Sequence, residues 1–274
     1  MNYSGLANIN DFDLLEWKNI FHEMESYQEE FLKFEHQFRS SEYKWPGDAL
    51  HNWSRLWEYP YVYYHLNNFN SEKGKVAKVV DVGSGVTFFT TFLAGKGYQI
   101  TATDIDPITE TDLNRAFQVI NTNPGKADVR ICTADKLPFD DESCDAAISI
   151  SVIEHVVDFE KTIKEIYRIL KKDGIFILTF DIDLNNNHEL KPDRYIDFKK
   201  VLFKYFKLEV DQQVIHPQKA LTSLISPYPY PIYKTILHKL SKNFIRKIKD
   251  VMAIKYYKPY YLTCEGVVLR KITS

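Results

Sequence analysis

The chain is poor in the residues that build covalent or metal-held scaffolds. Its three cysteines, Cys132, Cys144 and Cys264, are odd in number and far apart, which excludes a disulfide framework and a zinc-finger spacing. Free thiols suit a reducing compartment, so a cytoplasmic location is the expectation. No charge of one sign dominates: 35 Lys and Arg stand against 37 Asp and Glu, a net charge of −2. A global field of the kind that draws a chain onto DNA is absent, and no DNA partner is expected. No apolar run reaches bilayer-spanning length. The opening MNYSGLANINDFD lacks the basic start and apolar core of a secretory signal. Glycine is also scarce, at 10 in 274 residues, so the close pair Gly83 and Gly85 stands out.

What is present is aromatic and periodic. Hydrophobic residues make up 45% and aromatics 15%, enough for one large core with a cap. From Asp11 to about Ser40, Leu14, Trp17, Ile20, Phe21, Met24, Tyr27, Phe31 and Phe34 recur at helical spacing. After Trp45-Pro46-Gly47, the run SRLWEYPYVYYHL is aromatic and helical beyond Pro60. Residues 1–72 therefore read as a helical cap and 73–274 as a core. Within the core, strands and helices alternate: Lys78–Val82, Gln99–Asp104, Val129–Cys132, Asp145–Ser151 and Ile175–Phe180 read as strands, and Phe159–Leu170 as a helix. Two further strands are expected at Leu208–Ile215 and Tyr261–Arg270, separated by a Pro-, Tyr- and Lys-rich insertion at about 217–259. This order predicts an α/β, Rossmann-like, doubly wound and mostly parallel seven-stranded sheet, with its ligand at the carboxyl ends of the strands.

The stretch VVDVGSGVTFF (Val79–Phe89) is a strand, a glycine turn and a helix start. A nicotinamide-binding turn would need a third glycine at Phe88, and a phosphate-cradling loop would need a Lys-Ser/Thr after its last glycine. Neither is met, so a dinucleotide oxidoreductase is disfavoured. Asp104 ends the second strand about twenty residues on, where a carboxylate can accept both hydrogens of a ribose diol. Asp81 is an acid inside an apolar strand. It must be satisfied either by a cationic ligand or by the N–H groups of the turn itself.

With these residues in place, the run from Val79 to about Asp183 resembles the class I S-adenosylmethionine-dependent methyltransferases, in particular the small-molecule branch of ubiquinone-biosynthesis O-methyltransferases. The D-x-G-x-G turn corresponds to Asp81, Gly83 and Gly85, with Ser84 between them, and the acidic strand end to Asp104, followed by Ile105. LPF with trailing acids corresponds to Leu137–Glu142, EHV to Glu154-His155-Val156 after the strand ending at Ile150, and L-K-P-G-G to Leu170–Gly174. The resemblance implies S-adenosyl-L-methionine as cofactor. This donor has no pyrophosphate, so Thr87 in place of a third glycine is tolerable. The family's adenine-binding Asp is replaced by Thr133 in Thr133-Ala134-Asp135, so Thr133 or Asp135 takes that role.

Methyl transfer needs alignment first, and a base only when the acceptor must lose a proton. His155 and His188 are the candidate catalytic residues, the second in the loop DIDLNNNHE after the fifth strand; a structural histidine and a solvated turn are the plain alternatives. Some relatives use E-x-x-E-H as metal ligands, but here Ser151 replaces the first Glu and no metal is expected. Arg55 in RLWEYP can hold the cofactor carboxylate or an anionic acceptor, while its aromatic neighbours wall a pocket or pack the cap onto the sheet. The basic insertion (Lys234, Lys239, Lys242, Arg246, Lys247) suits an anionic acceptor, a peripheral membrane contact, or a solvated face. The expectation is methyl transfer to oxygen or nitrogen of a small molecule, with a saccharide or sugar-linked metabolite in view. An RNA methyltransferase and a non-catalytic scaffold of the same fold are the alternatives.

Overall fold

Strands rich in Val, Ile and Ala, each followed by a capped helix, leave the chain few ways to bury its apolar faces. The computed structural model describes residues 1–73, 77–133, 135–185, 190–228 and 261–272. Its sheet runs through β1 (Gly5–Leu6), β2 (Lys78–Val82), β3 (Gln99–Asp104), β4 (Lys126–Ile131), β5 (Cys144–Ile150), β6 (Leu170–Asp183), β7 (Phe206–Leu208) and β8 (Leu262–Lys271). The spatial order is β1-β8-β6-β5-β2-β3-β4, with β7 also on β8. Strands β2 to β6 are parallel to their neighbours, and β8 is antiparallel to β6. The chain moves outward from β2 through β3 to β4, then returns to β5 on the other side of β2. The crevice between the ends of β2 and β5 is therefore the switch point at which such sheets bind ligands.

The helices are α1 (Leu15–Lys33), α2 (Glu35–Phe38), α3 (Arg55–Lys73), α4 (Phe88–Gly95), α5 (Pro107–Val119), α6 (Phe159–Ile169) and α7 (Pro192–Tyr205). Alternate strand residues face opposite layers. Val79, Ile100, Ile148 and Ile177 join one core with residues of α1, α3, α4 and α5. Val80, Ala147, Phe176 and Leu178 join the other with Ile163, Ile166, Phe198 and Leu202 of α6 and α7.

Three expectations are corrected. The sheet has eight strands, because Gly5–Leu6 pairs with β8 beside β7; residues 1–72 are thus not helical throughout, and they share a core with the sheet. The helix of FEKTIKEIYRIL ends at Ile169, and Leu170 already pairs with Cys144 as the start of β6. The strand expected at Leu208–Ile215 is confined to Phe206–Leu208, after which Gln212 bridges to Ser4. Helix α3 begins at Arg55, five residues before Pro60. Proline has no N–H for the carbonyl of Leu56, and the indole of Trp17 donates to that oxygen instead at 3.2 Å. Most of the expected insertion, 229–260, lies outside the described residues.

Candidate active site

The turn between β2 and α4 is held open by backbone bonding. Gly83 and Ser84 both donate N–H to the carbonyl of Thr103, at 2.8 and 3.1 Å. Gly85 N–H donates to Asp104 Oδ2 at 2.9 Å, and Val86 N–H to the Tyr43 hydroxyl at 2.7 Å. Gly83 and Gly85 have φ of 78° and 57°, the left-handed region that glycine enters freely. A Cβ on Gly83 would lie 2.6 Å from both methyls of Val152, and one on Gly85 would lie 2.8 Å from Tyr43 Oη. Thr87, at extended φ, caps α4 by accepting from Phe89 N–H. A helix N-cap rather than a third glycine is what this position needs.

Asp81 faces a different environment. It is 3% exposed, and the N–H groups of residues 83 to 86 are all taken by other acceptors. The reading in which Asp81 pins the turn is thereby overturned. Burial, with the charge of Asp104 added, pushes its pKa up to about 7, as expected for a carboxyl awaiting a cation. Asp104 accepts from Gly85 and Asp106 N–H and keeps lone pairs free for two hydroxyls. Ile105 beside it is 66% exposed, an apolar face placed for a base. Thr133 donates its hydroxyl to Asp135 Oδ1 at 2.8 Å, so the two candidate adenine residues act as a pair. Ala134 lies outside the described residues. Ile150 ends β5, 9% exposed.

The second half of the site is the turn after β5. Ser151 has φ of 47°, a strained value for a residue with a side chain. Its hydroxyl donates to Glu58 Oε1 at 2.7 Å and accepts from Arg55, and Arg55 also pairs with Glu58 Oε2. Burial opposes the charge on Arg55, but Glu58, Tyr59 and Asp181 outweigh it and its pKa lies above the ordinary value. Arg55 is thus engaged by Glu58 and Ser151 within the protein. Glu154 is fully buried; burial, partly offset by His155, raises its pKa to about 7. His155 itself is exposed at the end of a single 3-10 turn, Ile153–His155. His188 lies outside the described residues. Among the described residues no three His, Cys, Asp or Glu side chains gather as a metal set, and no helix is long and apolar enough to cross a membrane.

Sequence reasoning missed Tyr43, Arg39 and Glu58. Arg39 donates to Val86 O at 3.0 Å and stacks 4.8 Å from the Tyr43 ring, seating the segment before α3 on the glycine turn. The aromatics of RLWEYP pack inward: Trp57 donates to Asp11 and stacks on Tyr61 at 4.5 Å.

A Rossmann-like sheet with a two-glycine turn, an acid at the end of the next strand and an exposed apolar residue after it defines a protein that binds a nucleoside cofactor lacking a pyrophosphate. Residues 80–178 match the methyltransferase domain family, and the chain carries a class I S-adenosylmethionine-dependent methyltransferase domain. It is 30% identical over 127 residues to a sterol 4-C-methyltransferase of Caenorhabditis elegans, covering 43% of this chain and 37% of that protein. It is 29% identical to a carboxy-S-adenosyl-L-methionine synthase of Nautilia profundicola, over 60% of this chain and 67% of the relative. Among solved structures, the [4+2]-cyclase SpnF superposes with a TM-score of 0.56 over 92% of this chain and 95% of its own, at 14% identity, a likeness of fold. The chain thus spans from about a third to two thirds of the length of the two relatives.

S-adenosylmethionine is the cofactor of this domain, and the residues fit it. The turn has no side chain at Gly83 or Gly85, where a Cβ would collide with Val152 or Tyr43, and Ser84 Oγ is buried there without a hydrogen-bond partner among the described residues. Asp104 can hold the ribose hydroxyls, Asp81 the amino group, Ile105 the base, and Thr133 with Asp135 its exocyclic amine.

Proposed function

We propose that the chain transfers a methyl group from S-adenosylmethionine to an oxygen or nitrogen of a small-molecule acceptor, a saccharide or sugar-linked metabolite being the first class to try. When bound, the cofactor supplies an electrophilic methyl carbon on a sulfonium sulfur. The observation that carries the reading is the pair of carboxyls at the switch point, buried Asp81 and Asp104 with lone pairs to spare, on a turn whose own N–H groups are already satisfied. The chain's contribution is then binding, alignment and exclusion of water. The segment bearing Arg39 and Tyr43 supports this, because it closes over the turn. His155, exposed beside buried Glu154, is suited to pass a proton between that carboxyl and solvent.

Calorimetric titration with S-adenosylhomocysteine, with NADH for comparison, tests the cofactor. Micromolar binding of the first alone is expected, and binding of NADH alone would overturn the reading. Transfer of label from methyl-tritiated donor into acceptor pools then separates an enzyme from a scaffold that binds the cofactor and methylates nothing.

A further inference from the structure

Helices follow β2, β3 and β5 as α4, α5 and α6, whereas the connection from β4 to β5 contains no helix among the described residues. The core built on α6 and α7 takes in Val80 and Val82 of β2 but no residue of β3 or β4. That face of β3 and β4 is therefore uncovered, and its side chains are polar. Alternation puts Gln99 and Thr101 of β3 on it, with Lys126, Asp128 and Arg130 of β4. Lys78, Gln99 and Lys126 stand side by side in register. These residues floor a groove of about 1010 Å³, walled by residues 137–141 and by Glu165 and Arg168 of α6. The groove lies at the amino ends of the strands, away from the cofactor turn. Gln99 and Asp104 are the two ends of β3, roughly 17 Å apart.

The charges in the groove do not cancel. Five cations and four acids line it. Two arginines satisfy three of the acids: Arg130 pairs with Asp128 at 3.3 Å, and Arg168 with Asp141 and Glu165, both at 2.7 Å. Asp140 is then the acid left to face Lys78, Lys126 and Lys136, which are exposed and without an ion pair among the described residues. Asp145, which accepts the backbone N–H of Lys78 at 3.0 Å, is held by Lys171 at 2.9 Å. Arg130 lies 5.0 Å from the centre of the Phe139 ring and donates to the carbonyl of Pro138, so the wall of the groove is fixed to its floor.

We infer that the groove binds an organic phosphate: Lys78 and Lys126 hold the phosphate over the Gln99 amide, and the organic part lies along Pro138 and Phe139. Adjacent strands are about 4.8 Å apart, so the two lysine Cα atoms are separated by roughly 10 Å. Two flexible four-carbon stems close that span from both sides. A phosphate monoester at neutral pH carries about two negative charges, which matches two lysines, whereas a carboxylate would neutralise one. The Gln99 side chain supplies neutral N–H donors between them. A cationic ligand would meet three unpaired ammonium groups. The site is not the methyl donor's, since S-adenosylmethionine has no phosphate and its residues stand at the other ends of the same strands. Its ligand is independent of the methyl-transfer reading.

The test is calorimetry on the full chain at low ionic strength, with phenyl phosphate, inorganic phosphate and phenol as probes. Phenyl phosphate should bind with a Kd below about 1 mM, at least about threefold more tightly than inorganic phosphate, and phenol should show no binding in that range. Lys78→Gln and Lys126→Gln should each weaken phenyl phosphate by at least about threefold, with unchanged urea midpoints to show that both variants fold. Saturating S-adenosylhomocysteine should leave the phenyl phosphate affinity as it was. No binding of phenyl phosphate up to about 10 mM, binding that neither substitution weakens, or competition with S-adenosylhomocysteine overturns the groove as the phosphate site. Equally tight inorganic phosphate overturns its assignment to an organic phosphate.

Discussion

Gly83→Ala separates a conformational cost from a steric one at the glycine turn. At φ of 78°, alanine loses about 1–2 kcal/mol relative to glycine from backbone sterics alone. Its Cβ would also sit 2.6 Å from both Val152 methyls, and overpacking of this kind costs about 1–3 kcal/mol more. The single substitution should therefore destabilise by about 2–5 kcal/mol, read as a lower urea midpoint at unchanged slope. Val152→Ala removes both colliding methyls. In that background Gly83→Ala should cost only the backbone part, about 1–2 kcal/mol, giving a coupling of about 1–3 kcal/mol in a double-mutant cycle. S-adenosylhomocysteine affinity should fall with Gly83→Ala and recover in part in the double variant, because Val152 follows Ser151 on the same strained turn. Additive costs, with no coupling, would refute the claim that the turns after β2 and β5 are packed against each other across the switch point.

Asp104→Ala removes the acceptor of Gly85 N–H and of the ribose hydroxyls; at about 1.5–3 kcal/mol per charged hydrogen bond, calorimetry should show S-adenosylhomocysteine binding weakened by at least about 100-fold, and unchanged binding would refute the ribose role. Tyr43→Phe strands the Val86 N–H that now donates at 2.7 Å, and chemical denaturation should show a loss of about 1–2 kcal/mol; no loss would mean that this bond is not formed in solution. The raised carboxyls Asp81 and Glu154, both near 7, reverse the usual pH trend. Between the unfolded carboxylate values near 4 and about pH 7 the folded state holds protons that the unfolded state has released, so stability should decline across that window and level off above it. Glu154→Gln should flatten the decline and leave the part that Asp81 contributes; an identical pH profile in the variant would refute the shift.

Much of the fold can be read along the chain because its signals are local. The VVDVG strand, the glycine turn and the acid about twenty residues on act within one βαβ unit, and β2 and β3 lie where their alternation placed them. Capping residues behave the same way. Thr87, conspicuous as a missing glycine, is the N-cap of α4, and Asp106, next to the ribose acid, caps α5 ahead of Pro107. The LPF motif with its acids proves to be held in place from α6. Arg168 donates to the carbonyls of Leu137 and Phe139 and to Asp141, while Glu165 accepts from Leu137 N–H. What stayed hidden were contacts across long separations, such as Gly5–Leu6 against β8, where a strand of two residues has no period to detect.

The turn after β5 shows why spacing alone misreads a site. Beside Glu154-His155, Ser151 looks like a lost carboxylate in an E-x-x-E-H pattern. In the fold a carboxylate is present at that place, but it arrives from α3: Glu58 is bound to the Ser151 hydroxyl across 93 residues of sequence. A Glu at 151 would set two carboxylates against each other at hydrogen-bond distance, whereas a serine hydroxyl can donate to Glu58 and accept from Arg55 at once. Arg55 enters with the same helix turn, three residues before Glu58, so the site gains a fixed cation together with its fixed anion. That pairing engages Arg55 through its Nη1 nitrogen. Glu154 Oε2, buried where His155 is exposed, has no hydrogen-bond partner among the described residues. A substitution such as Ser151→Ala should therefore weaken the hold on Glu58 and Arg55 together, a linkage that the local pattern around residues 151–155 does not contain.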